Sequence, residues 1–174
     1  SAYSEGHLDN ELLGLFVDTA FGLGRTDKVD KVLSELEVVD ESSTRLFRHK
    51  THARLLNRKG QQEVAWGKLR HLIEIEQADR EVFELSASIL GTLGHWSRAI
   101  DVLKKGLSSL SDGEDLKRLC FLIGDIYQRV QGEYFQAAGW FVQAARNGSV
   151  DAELMRCFHD SATLAADSTE ERDQ

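Results

Sequence analysis

Proline is missing altogether from the 174 residues. Such a chain has no imino break inside its helices and none of the stops that Pro supplies after them, so other residues must make its turns. Cysteine is nearly missing: Cys120 and Cys157 cannot build a disulfide framework. Cys120 falls at an inward helical place and reads as a buried thiol acting as a small hydrophobe. No run of apolar residues approaches the roughly 18 that a membrane-crossing helix needs. Positive charge is the minority sign, 21 Lys and Arg against 29 Asp and Glu, for a net charge of −8. A general nucleic-acid binder carries the opposite excess, so that class is excluded. Signatures of catalysis are missing as well: there is no P-loop, no Gly-x-Ser-x-Gly, no Cys-x2-Cys and no His-Glu-x2-His. His49 and His52 are three apart on one helical pattern, but a metal would need further ligands, and their phase is that of packing positions. Neither a cofactor nor a metal is expected.

What is present is the composition of a folded domain, 41% hydrophobic and 29% charged. Apolar residues recur at helical spacing over nine stretches, about 8–22, 25–38, 43–58, 61–76, 79–92, 95–110, 114–130, 133–147 and 150–166. Asp79 is placed to cap one helix, and Ser111-Asp112-Gly113-Glu114 reads as a turn followed by a helix start. Asn147-Gly148-Ser149 closes the eighth stretch. No strand pattern occurs. Residues 1–7 and 168–174 are polar and without period, and are expected to be frayed. The only Met is Met155, and Ser1-Ala2-Tyr3-Ser4 looks like a cut edge, so the expectation is a piece of a longer protein.

The patterns come in pairs, and the pairs repeat. Gly94 separates Val82, Phe83, Ser86, Ala87, Ile89 and Leu90 from Trp96, Ala99, Ile100, Leu103 and Leu107, where a helix end needs a left-handed residue. Gly60 lies 34 residues earlier, Gly24 a further 36 earlier, and Gly132 lies 38 after Gly94. Each is flanked by the same arrangement. In 117–151 it is Cys120-x2-Ile123-Gly124-x2-Tyr127 and then Ala137-x3-Phe141. In 80–113 it is Phe83-x2-Ser86-Ala87-x2-Leu90 and then Ala99-x3-Leu103. In 46–79 it is His49-x2-His52-Ala53-x2-Leu56 and then Ala65-x3-Leu69. In 10–43 it is Leu13-x2-Phe16-Val17-x2-Ala20 and then Val29-x3-Leu33. The fourth unit needs one extra residue in its turn.

A period near 34 with Gly-x2-Tyr on a first helix and Ala-x3-Phe on a second resembles the tetratricopeptide repeat, or TPR. The closing Pro of that family is replaced in every unit. The resemblance implies an all-α fold, a right-handed α-solenoid of about four TPR-like helix pairs (10–43, 46–79, 80–113, 117–151) in one domain. A capping helix at 150–166 and a disordered tail at 167–174 complete it. It also implies that first helices line a groove, with outward residues at i, i+3, i+4, i+7 and i+8.

Those places hold Glu11, Gly14, Asp18, Phe21 and Gly22 in the first unit, and Phe47, Lys50, Arg54, Asn57 and Arg58 in the second. They hold Glu81, Glu84, Ser88, Gly91 and Thr92 in the third, and Arg118, Phe121, Asp125, Gln128 and Arg129 in the fourth. Lys50, Arg54 and Arg58 form one basic stripe. It reads either as a seat for an acidic peptide, with the two arginines as bidentate donors, or as a stripe paired internally with Asp18, Glu81 and Glu84. Phe47, Lys50, Arg54, Asn57, Arg58, Glu81 and Glu84 are the candidate partner-binding residues. The basic and amide clamp of chaperone-binding members is lacking, since Gly14 and Asp18 stand in its place. Trp66, Trp96 and Trp140 read as packing residues, with Trp140 partly exposed. The expected function is a non-catalytic scaffold that docks another protein or a peptide segment. A bacterial envelope setting, the periplasmic scaffold of an exopolysaccharide export system, is the leading specific alternative. Direct binding of a charged polysaccharide, or service as the accessory arm of an enzyme, are further classes the fold would support.

Overall fold

The computed structural model describes residues 10–36 and 42–170, and the expectations for 1–9, 37–41 and 171–174 lie outside the described residues. The described residues form nine α-helices and one π-helical turn, with no strand. The helices are α1 (Asn10–Gly22), α2 (Thr26–Leu36), α3 (Ser42–Arg58), α4 (Gln62–Glu74), α5 (Arg80–Thr92), α6 (Trp96–Ser109), α7 (Gly113–Ile126), α8 (Tyr134–Asn147) and α9 (Ala152–Glu170). The π turn, Tyr127–Gln131, extends α7. The chain divides into two compact units, 1–78 and 79–174. That division falls between the second and third repeats read from the sequence.

Helix ends follow the residues that can make them. Gly24, Gly60, Gly94 and Gly132 all have φ between 68° and 77°, the left-handed region that only Gly enters without a Cβ penalty. Across the first three turns the same bond recurs: Arg25 N donates to Ala20 O, Gln61 N to Leu56 O and His95 N to Leu90 O, at 2.8–2.9 Å. In the fourth, Glu133 N reaches back one residue further, to Tyr127 O at 3.0 Å. The extra residue of the fourth unit is therefore wound into the helix as a π turn instead of lengthening the loop. At helix starts, the Asp79 carboxylate accepts from Val82 N and that of Asp112 from Glu114 N and Asp115 N, which satisfies donors that have no partner within the helix.

In unit 1, α1 packs on α2 and α3, α2 on α3, and α3 on α4. Its core gathers Val17, Ala20, Phe21, Val29, Leu33 and Leu55, with Phe47 against them. In unit 2, α5 packs on α6 and α7, α6 on α7, α7 on α8, and α8 on α9. There Cys120, Ala137, Phe141, Ala144, Leu154 and Cys157 form a cluster that Phe121, Tyr127 and Trp140 border. Two motif residues meet in it: a Cβ on Gly124 would lie 2.7 Å from Phe141 Cε1, so α7 approaches α8 as closely as it does because position 124 has no side chain. Gly106 plays the same part between α6 and α7, where a Cβ would meet Leu119 Cδ1 at 2.6 Å. The Trp96 ring packs on Gly91, again too close for a Cβ.

Three expectations are corrected. The tail does not begin at 167: α9 runs to Glu170, because its buried stripe of Leu154, Cys157 and Ser161 is continued by half-buried Ala165 and Ser168. Gly91 is not outward-facing, since it is buried beneath Trp96. Phe16, at the motif place three residues after Leu13, is 45% exposed and not buried as that place would have it.

Candidate functional site

The basic stripe lies in unit 1, and α1 engages most of it. Spacing of four places Arg54 and Arg58 on successive turns of α3, facing α1. An Arg54 Nη2 to Asp18 Oδ1 ion pair joins the two helices. Both guanidinium groups lie over the Phe21 ring, Arg54 at 5.3 Å and Arg58 at 4.4 Å from its centre. Arg58 Nη1 also donates to the Phe21 carbonyl at 2.8 Å. The stripe thus meets two residues at the first unit's groove places: Asp18, which is exposed, and Phe21, which was expected outward but is buried in the core, its ring packed among Val17, Ala20 and Val29. Pairing at this exposure stabilises by about 0.2–1 kcal/mol per ion pair and about 0.5–1 kcal/mol per cation–π contact. Lys50 is half-buried one turn earlier. Phe47 is half-buried, its ring packed on the core clusters of both Val17 and Leu13. Asn57 acts through its backbone, its carbonyl accepting from Gly60 N and Gln62 Nε2.

Unit 2 carries a second charged surface. Glu84 on α5 lies between Arg80 Nη1 at 2.8 Å and Arg118 Nε at 3.4 Å. Arg80 Nε reaches Asp115 at 2.8 Å, and Lys117 Nζ reaches Asp151 at 2.8 Å. Around these pairs opens a cleft of about 310 Å³, lined among others by Arg80, Arg118, Phe121, Asp151 and Glu153. Arg118 is about half-exposed and its guanidinium lies 6.0 Å from the centre of the Phe121 ring. Glu81 is exposed on the turn before Glu84. Of the predicted residues the structure therefore joins Arg54 with Arg58 in unit 1, and in unit 2 pairs Glu84 with two arginines that line the cleft.

The electrostatics differ along this surface. The hydrogen bond from Lys117 holds the Asp151 carboxyl below its ordinary pKa, and the Ser149 amide does the same for Glu114. Asp125, on the same face of α7, moves the other way: burial pushes its carboxyl up. Its Oδ1 lies 2.6 Å from Arg129 Nε without an aligned N–H, so the pairing offsets desolvation only in part. Arg80 and Lys117 escaped the sequence reading, which followed only the outward places of the first helices, and Asp151 and Glu153 were read only as part of the polar face of the capping helix. A signal for them existed in the spacing. Arg118–Glu84 and Lys117–Asp151 are 34 residues apart, Arg80–Asp115 is 35 and Arg54–Asp18 is 36, each close to one repeat length.

A second hollow in unit 2, about 480 Å³, is lined by Leu107, Leu116, Cys120, Gly139 and Trp140 among others. Lys104 Nζ lies 5.7 Å from the Trp140 ring centre. Burial raises the pKa of the Cys120 thiol that borders it. In unit 1 burial, joined by the charges of Arg48 and Lys68, lowers the pKa of His49. Among the described residues no group of three or more His, Cys, Asp or Glu is placed to hold a metal ion, and no helix is long and apolar enough to cross a membrane. No family model matches the chain, and no curated protein matches it.

Proposed function

We propose that the chain is a TPR-like, right-handed helical-repeat scaffold that docks a segment of another protein and performs no catalysis of its own. The observation that carries this reading is the cleft of unit 2, where Arg118 and Phe121 stand side by side on α7. The Arg118–Glu84 contact, 3.4 Å long with Arg118 about half-exposed, costs little to exchange for a ligand carboxylate. Phe121 supplies an apolar rest beside it. The segment that fits carries an Asp or Glu for Arg118 and an apolar side chain for Phe121, with a basic residue toward Asp151 and Glu153. Arg54 and Arg58 serve the reading less directly, because a ligand on the stripe first has to displace Asp18. The export-scaffold setting is a special case of the same reading and has no residue of its own in the cleft.

Peptides selected on the immobilised protein from a random display library test the proposal. The selected sequences are expected to be enriched in Asp or Glu beside an apolar residue. Their affinity should fall at least tenfold with Arg118→Glu or Phe121→Ala, fall with added salt, and stay unchanged with Arg54→Glu. Binders indifferent to both α7 substitutions would overturn the assignment.

A further inference from the structure

Gly139 stands inside α8 without a packing reason. A glycine within a helix weakens it. That loss is explained where a neighbour comes too close for a Cβ, as Phe141 does at Gly124 and Leu119 at Gly106. At Gly139 a Cβ would meet nothing within 4 Å. Gly67 of α4, at the corresponding place, is open in the same way, so openness by itself marks no site. What sets Gly139 apart is the hollow it lines, about 480 Å³ between α6, α7 and α8.

That hollow has a consistent chemistry. Leu107, Leu116 and the half-buried Trp140 give it apolar walls. Gln136 and Gln143 share one face of α8 with Trp140, at i, i+7 and i+4. Their side-chain amides have no hydrogen-bond partner among the described residues. None of the lining residues is charged. At the same places one repeat earlier α6 carries Arg98, Asp101, Val102 and Lys105, the charged outer side usual for a helix in solvent. In α8 these become Gln136, Gly139, Trp140 and Gln143. Over the Trp140 ring, 5.7 Å from its centre, stands the exposed Lys104 ammonium. It has no carboxylate partner among the described residues. An anion entering here therefore meets a cation and no carboxylate in the lining. An apolar cavity of about 150 Å³ holds one benzene, so this hollow admits two fused rings and an acid group.

We propose that the α6–α7–α8 hollow is a binding site for a small aromatic carboxylic acid. Its ring system rests on Trp140 and against the bare backbone of Gly139, and its carboxylate lies beside Lys104. Gln136 and Gln143 offer donors and acceptors to polar groups on the ring. The site shares no residue with the α7 cleft, and neither depends on the other.

The test titrates naphthaleneacetate, its neutral amide and decanoate into the intact protein. The readout is the set of indole N–H signals of Trp66, Trp96 and Trp140 in proton NMR spectra, with Trp140→Phe assigning the last. The naphthyl acid is expected to move the Trp140 signal alone, to bind at least fivefold more tightly than the amide, and to weaken in added salt. Lys104→Gln should remove the preference for the acid. Gly139→Leu should weaken the acid at least tenfold while melting no lower than the parent, since Leu is the better helix former and its Cβ meets no neighbour. That pairing separates room kept for a ligand from room the fold needs. No shift at Trp140, equal shifts at all three indoles, or a Gly139→Leu variant that binds like the parent would overturn the site. Equal binding of acid and amide would overturn the anionic class, and tighter binding of decanoate the aromatic one.

Discussion

Two glycines in unit 2 should respond to the same substitution with opposite signs. Gly139 and Gly124 both lie inside helices, α8 and α7. Replacing a helical Gly by Ala gains about 0.8–1 kcal/mol of backbone preference at either place. Around Gly139 a new Cβ meets nothing within 4 Å, so Gly139→Ala should show that gain nearly whole. At Gly124 the Cβ would stand 2.7 Å from Phe141 Cε1 and 2.9 Å from Cδ1, where relaxed carbon contacts are about 3.5–4 Å. The ring would have to retreat by roughly 1 Å, yet Phe141 is fully buried and already touches Phe121, with ring centres 5.5 Å apart. Overpacking of this kind costs about 1–3 kcal/mol. After the helical gain is subtracted, Gly124→Ala should destabilise by about 0–2 kcal/mol, leaving the two variants about 1–3 kcal/mol apart. In urea, with a slope of about 2 kcal/mol/M, their unfolding midpoints should differ by about 0.5–1.5 M. A Phe141→Leu change should cost less in the Gly124→Ala background than alone, with a coupling of about 0.5 kcal/mol or more. If Gly124→Ala is as stable as Gly139→Ala, or the coupling is nil, then Phe141 is not wedged against α7, and the α7–α8 pairing described above is wrong.

Other outcomes are equally specific. Arg58→Ala removes a charge-assisted hydrogen bond to Phe21 O and a cation–π contact and should destabilise unit 1 by about 1–2 kcal/mol in chemical denaturation; Arg54→Ala, losing an exposed pair and a longer contact, should cost less. Asp125 holds its proton more tightly folded than unfolded, so its ionisation costs stability above the raised folded pKa, and that cost vanishes below the unfolded value of about 3.9. Asp125→Asn should therefore melt higher than the parent at pH 7 and equally at pH 3; a variant less stable at pH 7 would refute the desolvation argument. Glu76 sits at φ 57°, so Glu76→Gly should raise stability, whereas Gly94→Val at φ 77° should lower it by about 1 kcal/mol or more. Cys120 and Cys157 are buried with pKa values raised by desolvation, and both should resist a thiol-modifying disulfide reagent at pH 8 until the protein is denatured.

Much of the fold was legible because it is local. A left-handed turn selects Gly, so Gly24, Gly60, Gly94 and Gly132 announced four helix–helix turns before any coordinates. Inward places at helical spacing named Ala53, Ala65, Ala87, Ala99, Ala137 and Phe141, all of them buried. The candidate site was less legible, because outward places can be counted along a helix while the partner of each charge depends on the neighbouring helix. Lys50, Arg54 and Arg58 read as a stripe, but only packing put Phe21 beneath two of the guanidiniums and Asp18 beside one.

The sequence by itself determined the all-helical class, the helix boundaries to within a few residues and the places of the turns. These rest on periodicity and on backbone preferences carried by single residues. Tertiary structure alone decided where the fourth unit's extra residue goes, since a longer loop and a π turn are both open to such a chain, and close packing of Gly124 on Phe141 accompanies the second. It alone decided that Gly91 is covered by Trp96 and that Phe16 stays 45% exposed. A helical pattern states which residues share a face; whether another helix lies against that face depends on contacts distant in the chain.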